Sequence, residues 1–214
     1  MSSFGALAFV RSRISRKAGV KRVKTGHAGT LDPLATGVLI LCTGKKTKEI
    51  ARLQLDSKEY TATLQLGATT PSYDLEHEVD ATFPTEHITR ELILQVLEQF
   101  KGDIQQVPPQ YSAVKIGGDR AYELKRKGKE VQLAPKTVHV SELELTEFDA
   151  EKMQMSIRVR CGKGTYIRSL ARDIGRALDS GAYLTALCRT QLGSVRIEDC
   201  ITLDDFPQWL EEHA

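Results

Sequence analysis

The chain has few of the features that would form disulfide bonds, bind a metal or span a membrane. Its four cysteines form no Cys-x-x-Cys pair, and its five histidines stand singly. This pattern argues against a disulfide scaffold and against a metal site, so we expect a reduced, cytoplasmic compartment. The apolar runs, such as Val38–Cys42, are far shorter than the roughly 18 residues that suggest a membrane span.

The composition is that of an ordinary globular protein. Hydrophobic residues make up 41% and charged residues 27% of 214 residues, which argues against a disordered or fibrous chain. No signal-peptide core follows the N-terminus. The first residues are acid-free and rich in arginine, as in a mitochondrial transit peptide, but the chain runs on without a break resembling a cleavage site. The length fits one large domain or two small ones.

The net charge of +2 hides an uneven distribution of charge. Residues 1–50 carry ten Lys/Arg against two acidic residues, residues 115–129 six against two, and residues 158–176 six against one. The compensating acid lies mainly in residues 74–98 and near the C-terminus. Such blocks indicate one strongly positive face, which a polyanion such as nucleic acid requires. The alternative is a set of solvated faces that only maintain solubility.

Hydrophobic periodicity predicts an α+β fold with a mainly antiparallel sheet. Apolar spacing predicts a first helix after Ser2 or Ser3, with Phe4 in its buried stripe. The other predicted helices cover residues 45–55, 89–100 and 165–178. The apolar run at 38–42 predicts one strand. Period-two alternation predicts further strands at residues 60–66, 143–146 and 153–161, and the last two are expected to pair as a hairpin. Residues 71–87 are expected to form an acidic loop.

The stretch from Gly26 to Gly37 is the most informative for chemistry. Asp32 is the only carboxylate among the first 48 residues and stands in a glycine-rich loop amid positive charge. Such a carboxylate can act as a nucleophile or a general base. In isolation, however, an aspartate before proline is more often a turn residue that bonds the local backbone. His27 alone is likewise more often structural.

Two further stretches are ambiguous when each is taken alone. Residues 161–168, CGKGTYIR, run from a strand through two glycines into a helix, so their N–H groups could receive a phosphate, although no Walker A spacing is present. Arg168 in that first helical turn is expected to have a carboxylate or phosphate partner, or to be solvated. Residues 108–115, PPQYSAVK, resemble a nucleic-acid contact or an edge strand with long lysines.

Together and in this order, the stretches resemble one enzyme family. GHAGTLDPLATGVLILCTGKKTK looks like the catalytic motif of the TruB family of tRNA pseudouridine synthases. PPQYSAVKIGGDRAYELKRKG and CGKGTYIRSLARDIGRAL resemble its next two blocks, and the Leu-Cys-Arg at 187–189 resembles the Leu-Arg-Arg that follows. The resemblance implies the pseudouridine-synthase fold, a mixed, mainly antiparallel sheet flanked by helices and loops.

The resemblance also implies an activity and a set of site residues. The family isomerises a T-loop uridine of tRNA, at position 55, to pseudouridine after flipping the base, without metal or organic cofactor. Asp32 matches its nucleophile, Tyr60 the aromatic residue that is suited to take the C5 proton, and Arg168 the arginine that pairs with the aspartate. Which atom the aspartate attacks stays open. The positions expected to contact substrate or RNA are His27, Gly29, Lys115, Arg120, Lys163, Tyr166 and Leu187.

The chain departs from the family pattern at both ends. Residues 1–204 are expected to form the catalytic domain without the family's N-terminal strand, and residues 205–214 a C-terminal tail without a PUA module. The expected partner is the T-arm of tRNA, bound by a monomer. The alternatives are a catalytically silent tRNA-binding or remodelling protein on the same fold and a small basic ribosome-associated protein. The presence of both Asp32 and Arg168 favours the enzyme.

Overall fold

The structure, a computed structural model, describes residues 1–112, 114–117, 119–121 and 132–213, with the backbone alone at 115, 116, 119 and 120. The described residues divide into two compact units, and each is described by itself. The first unit comprises Met1–Glu59 and Cys188–Ala214, and the second comprises Tyr60–Leu187. No helix among the described residues is long and apolar enough to cross a membrane.

The α-helices of the described residues are α1 (Ser3–Lys17), α2 (Ile50–Leu53), α3 (Arg90–Glu98), α4 (Ile167–Ala177) and α5 (Phe206–His213). The strands before the long central hairpin are β1 (Thr25–His27), β2 (Thr36–Gly37), β3 (Leu41–Thr43), β4 (Lys58–Leu66), β5 (Ala68–Thr69), β6 (Ala81–Thr82), β7 (Gly102–Gln106), β8 (Lys115–Ile116) and β9 (Asp119–Arg120). The remaining strands are β10 (Lys136–Asp149), β11 (Gln154–Cys161), β12 (Ala182–Leu192) and β13 (Val195–Arg196).

The second unit is built on a sheet in the order β12-β4-β11-β10-β7. The β10 and β11 strands form an antiparallel hairpin in which Leu143 pairs with Val159, and β7 pairs antiparallel with β10 on its other side. Buried and more exposed residues alternate along β4 and β11, so one side of each strand enters the core. This confirms the predicted alternation and the hairpin.

Two amphipathic helices complete the core of the second unit. Thr89 caps α3, because its hydroxyl accepts a hydrogen bond from the Leu92 N–H at 3.2 Å. The apolar side of α4 buries Leu170 and Ile174 completely in the cluster that the sheet also enters. Full burial of a leucine or isoleucine contributes roughly 1.5–3 kcal/mol, so these stripes account for much of the unit's stability.

Helix α1 organises the first unit. Its N-cap is Ser2, whose hydroxyl accepts a hydrogen bond from the Gly5 N–H at 3.1 Å. Val10 packs in a small cluster with Phe206 and Leu210 of α5. Lys17 at the other end of α1 donates to the Leu210 carbonyl at 2.7 Å. Residues 206–213, which were expected to lie in a C-terminal tail, are therefore helical and pack against α1.

The structure corrects several local predictions. Phe4 is 66% exposed rather than part of the buried stripe of α1. The predicted strand at 38–42 is reduced to β3, and the predicted helix at 45–55 is a 3₁₀ segment, Gly44–Glu49, followed by the short α2. The acidic segment 71–87 is a loop apart from β6. Sequence periodicity missed β7 and the long β12.

Candidate active site

Asp32 lies in the first unit, in a segment that follows β1 and includes the two-residue strand β2; we call this segment, residues 28–38, the Asp32 loop. The loop begins where the Ala28 N–H donates to the Ile40 carbonyl at 2.9 Å, and it turns where the Ala35 N–H donates to the Asp32 carbonyl at 3.0 Å. Asp32 itself is half-buried. A carboxylate that is partly shielded on a turned, bonded backbone has the accessibility a nucleophile needs.

The residue before Asp32 is fixed by the start of α1. The buried hydroxyl of Ser3 accepts a hydrogen bond from the Leu31 N–H at 2.9 Å and lies 3.4 Å from the Leu31 carbonyl. This bond ties the loop to a helix rather than to another loop, so the backbone next to Asp32 has little freedom. Ser3, which the sequence suggested only as a possible helix cap, supports the site instead.

His27 presents an unused polar atom beside the Asp32 loop. It is the last residue of β1, it is half-buried, and its Nδ1 has no hydrogen-bond partner within the described part of the chain. The Thr25 hydroxyl, two residues earlier on the same strand, is also without a partner there. Residues two apart point to the same side of a strand, so these two atoms line one face of β1. Buried polar atoms without a partner are uncommon in folded proteins, so this face of β1 is unusual.

The loop is also bonded to Arg189, which sequence reasoning did not select. The Arg189 side chain is 1% exposed, and its Nε and Nη2 donate to the Val38 and Gly29 carbonyls at 2.8 Å and 3.2 Å. Gly29, one of the predicted RNA-contacting positions, therefore contributes its carbonyl to the support of the loop. The only available signal was the Leu-Cys-Arg match, which does not reveal what the arginine contacts.

Arg168 lies in the second unit, in the first turn of α4, where it is 3% exposed. Its Nε is 3.7 Å from the Asp74 carboxylate, which is also buried. Its Nη1 and Nη2 donate to the Ser72 and Tyr111 carbonyls at 3.3 Å and 2.9 Å. Of the partners that the sequence left open for Arg168, a carboxylate is present. Asp74 itself was missed because it lies in the acidic segment interpreted as a solvated loop.

The same side of α4 bonds to the segment that contains Pro108 and Pro109. Ser169 and Arg172 both donate to the Val107 carbonyl, at 2.8 Å and 3.0 Å. Burial opposes the charge of Arg172, but the hydrogen bonds and negative charge of Asp173, together with those of Tyr73, raise its pKa. Together with the bonds of Arg168, these bonds fix residues 107–111 on α4. The stretch that begins PPQYS is therefore bonded to the helix of the CGKGTYIR stretch.

Tyr60 and Leu187 pack in the core cluster of the second unit, and Tyr60 is buried. At the start of α4, the Tyr166 N–H donates to the Gln106 side-chain oxygen at 2.8 Å, and the Gly162 N–H donates to the His139 carbonyl at 2.8 Å. Two of the N–H groups that the sequence suggested for a phosphate are thus already bonded within the protein. The Gln106 side chain also donates to the Tyr166 carbonyl at 3.1 Å, so it fixes the residue before α4, as no sequence pattern had indicated.

The remaining predicted contacts are basic residues. Lys163 is exposed in the turn before α4. The side chains of Lys115 and Arg120, and the basic run at 122–131, lie outside the described residues. The first unit has in addition a cavity of about 420 Å³ that sequence reasoning did not foresee. Its lining residues are Arg11, Ser12, Ser15, Arg16, Val20, Lys21 and Arg22.

A mixed, mostly antiparallel sheet with helices, combined with an aspartate in a Gly-His-Ala-Gly-Thr-Leu-Asp-Pro loop, defines a pseudouridine synthase. Residues 16–167 match the TruB family pseudouridylate synthase N-terminal domain, and residues 168–214 match the tRNA pseudouridylate synthase B C-terminal domain. The chain belongs to the TruB family. It is therefore an isomerase, which confirms the resemblance stated from its motifs.

Curated relatives agree over almost the whole chain. The tRNA pseudouridine synthase B of Phocaeicola vulgatus is 59% identical over 99% of this chain and 89% of that protein. The protein of the same name from Francisella philomiragia is 51% identical over 85% of this chain and 60% of that protein. The identity extends across both units rather than being confined to the aspartate motif.

Solved structures show the same fold. A chain in the crystal structure of a Cbf5-Nop10-Gar1 complex has a TM-score of 0.70 and 28% identity and covers 100% of this chain. A chain in the structure of an H/ACA RNP bound to a substrate RNA containing 2'-deoxyuridine has a TM-score of 0.69 and 27% identity. The present chain spans about half of each, 54% and 52%. The predicted fold class is confirmed.

Proposed function

We propose that this chain converts the T-loop uridine at position 55 of tRNA to pseudouridine, with Asp32 as the nucleophile and without a cofactor. The observation that carries the proposal is the Asp32 loop, in which the only carboxylate of the first 48 residues stands on a backbone tied to Ser3. The names of the relatives support tRNA as the substrate. The bacterial relatives also support a cytoplasmic location, and we propose that the protein acts as a monomer.

The reaction is balanced without an external reactant. The bond between uracil N1 and ribose C1′ breaks, the base rotates, and a bond between C5 and C1′ forms. The C5 proton leaves and N1 gains a proton, so the product is an isomer and no electron is transferred. Attack of Asp32 on the ribose and attack on the base both satisfy this balance. Either route needs an ionised carboxylate and a base lifted out of its stack.

The second unit is proposed to supply the other chemical groups. Tyr60 takes the C5 proton, since a tyrosine combines a stacking face with one polar atom. Arg168 is proposed to orient the nucleophilic carboxylate, for which a planar guanidinium is better suited than the point charge of a lysine. Its bonds to Ser72 and Tyr111 support this role because they fix the side chain before substrate binds. Tyr166 and Leu187 are proposed to line the uridine pocket.

Recognition of the RNA is proposed to rest on its backbone shape. The cavity lined by Arg11, Arg16, Lys21 and Arg22 has the positive charge and the volume to take phosphate groups. Lys115, Arg120 and Lys163 are proposed to add further phosphate contacts, and His27 and Gly29 to contact the RNA beside the flipped base. These contacts offset the few kcal/mol that base flipping costs.

The experiment compares two small RNAs that have the same loop. One is a T-arm stem-loop, and the other carries a scrambled stem strand that prevents pairing. We expect pseudouridine in the stem-loop at an initial rate well above that in the unpaired RNA, because the contacts read the folded backbone. Equal rates would show that the enzyme reads single-stranded sequence. Absence of product from both RNAs and from an unmodified tRNA transcript would contradict the proposed function.

A further inference from the structure

Arg189 is a buried cation that, within the described residues, is bonded to backbone carbonyls and not to a carboxylate. Its side chain is 1% exposed, and its two hydrogen bonds go to Val38 and Gly29. Burying an ionised group is costly unless it is paired, and buried charges are therefore usually matched by an opposite charge. A neutral residue of similar size would pack without that cost, so the arginine serves the two carbonyls it contacts.

The two carbonyls lie on opposite sides of Asp32 along the chain. Gly29 lies three residues before Asp32 and Val38 six residues after it. One rigid guanidinium bonded to both sets the separation of the two arms of the Asp32 loop. The bonds made by Nε and Nη2 leave from one edge of the planar group, so rotation of either arm breaks one of them.

The backbone of Arg189 holds the same loop a second time. Arg189 pairs with Gly37 in the parallel register of β12 and β2, and its carbonyl accepts from the Val38 N–H at 2.8 Å. Gly37 has a φ of +99°, and a Cβ built on it would lie 2.2 Å from the Arg189 oxygen. Only glycine permits this approach. The side chain and the main chain of Arg189 thus both bond to Val38, at the C-terminal end of the Asp32 loop.

We propose that Arg189 is a positioning residue for Asp32: it fixes both arms of the Asp32 loop so that the carboxylate is presented in one orientation. This rests on the proposed function of Asp32 as the nucleophile. A nucleophile gains most of its advantage from being held at the right distance and angle, and a displacement of about 1 Å can cost roughly 100-fold in rate. Arg189 acts through the backbone and need not touch the RNA.

The test uses the full chain with Arg189→Lys and Arg189→Met, and with Arg196→Lys as the matched control. Arg196 is an exposed arginine on the neighbouring β13. A single lysine nitrogen cannot replace both Nε and Nη2, and methionine keeps the volume without the charge. Three quantities are measured: the single-turnover rate of pseudouridine formation in the T-arm stem-loop, the Kd for that RNA, and amide hydrogen exchange of peptides covering residues 28–38.

We expect both Arg189 variants to lose roughly 100-fold in the single-turnover rate while the Kd changes less than about threefold. Exchange in residues 28–38 should rise roughly tenfold with the rest of the chain unchanged, and Arg196→Lys should match the wild type in all three measurements. A wild-type rate in Arg189→Lys, or unchanged exchange in the loop, would overturn the proposal. So would global unfolding of both variants, which would make Arg189 a structural residue only.

The design separates this proposal from the proposed function. If the wild-type protein forms no pseudouridine, the function is wrong, and the exchange measurement still decides whether Arg189 holds the loop, because it needs no catalysis. If the wild-type protein is active and the loop is rigid without Arg189, the function stands and the positioning role is wrong.

Discussion

Arg168 and Asp74 form a buried ion pair in the second unit, with 3.7 Å between Nε and Oδ2 and side chains only 4% and 7% exposed. The carboxylate is set in place by its own segment: the Glu76 N–H donates to its Oδ1 at 3.0 Å, and its backbone N–H donates to the Thr70 hydroxyl at 3.1 Å. The pair is thus prearranged from the Asp74 side. Arg168 receives a fixed counter-charge in addition to its bonds to carbonyls.

Replacing Asp74 by asparagine should destabilise the fold. The amide keeps the shape and can still accept from Glu76, but the buried guanidinium loses the negative charge of Asp74, which costs on the order of 3 kcal/mol of unfolding free energy. Urea denaturation measures this loss. The control is Glu78→Gln, an exposed acid in the same segment, which should change the stability by no more than about 0.5 kcal/mol. Equal effects of the two substitutions would contradict the importance of the ion pair.

Arg168→Lys should separate catalysis from binding. A lysine keeps the charge, but its single ammonium group cannot replace the two guanidinium nitrogens that bond the Ser72 and Tyr111 carbonyls. The positive charge therefore lies at a different position. We expect turnover to fall by roughly 100-fold, with RNA affinity retained within about tenfold. Initial rates and filter-binding Kd values on the same stem-loop measure both. Near-native turnover would show that the two-pronged geometry is not required.

Activity should survive removal of metal ions. The proposed isomerisation needs a carboxylate, a proton acceptor and a fixed cation, all of which are protein side chains. The measurement is the initial rate with and without EDTA on a stem-loop that folds without Mg²⁺, with RNA melting curves to confirm its folding. A rate that falls in EDTA while the RNA stays folded would show that a metal takes part.

The basic cavity of the first unit predicts a particular salt dependence. Each lost phosphate contact reduces the slope of log K against log salt concentration by roughly 0.7–0.9. The double variant Arg16→Gln/Arg22→Gln should therefore lose about 1.5 from the slope. The matched control is Arg13→Gln/Arg52→Gln, because Arg13 lies over the Phe9 ring and Arg52 is bonded to Glu49. Identical slopes for both doubles would place the RNA elsewhere.

Hydrophobic periodicity predicted the strands and helices that bury only one of their sides. The alternation in β4, the β10–β11 hairpin and the stripes of α3 and α4 could be read directly, because each repeats over several residues. Phe4 was assigned wrongly because its spacing fits the stripe of α1, but spacing alone does not determine where a stripe ends. Residues 206–213 are helical because Phe206 and Leu210 pack against Val10, a contact between distant parts of the sequence.

The residues of the candidate site also divide into those that the local sequence predicts and those that it does not. The Asp32 motif and Arg168 could be found from the sequence because they stand in long characteristic stretches. Asp74 and Arg189 could not, since their roles depend on contacts with residues 94 and 151 positions away, at Arg168 and Val38. A buried acid inside an acidic segment and a buried arginine inside a strand have no local pattern that distinguishes them from exposed neighbours.

The central claim is that Asp32 converts the T-loop uridine, and one measurement tests it most directly. An unmodified tRNA transcript is incubated with the wild-type protein or with Asp32→Asn, and pseudouridine is mapped by chemical labelling. Mass spectrometry of the variant excludes deamidation back to aspartate. We predict a single pseudouridine at position 55 with the wild type and none with Asp32→Asn, while the Kd for tRNA stays within roughly tenfold because phosphate contacts dominate affinity. Pseudouridine formed by the asparagine variant, or at another position by the wild type, would contradict the account.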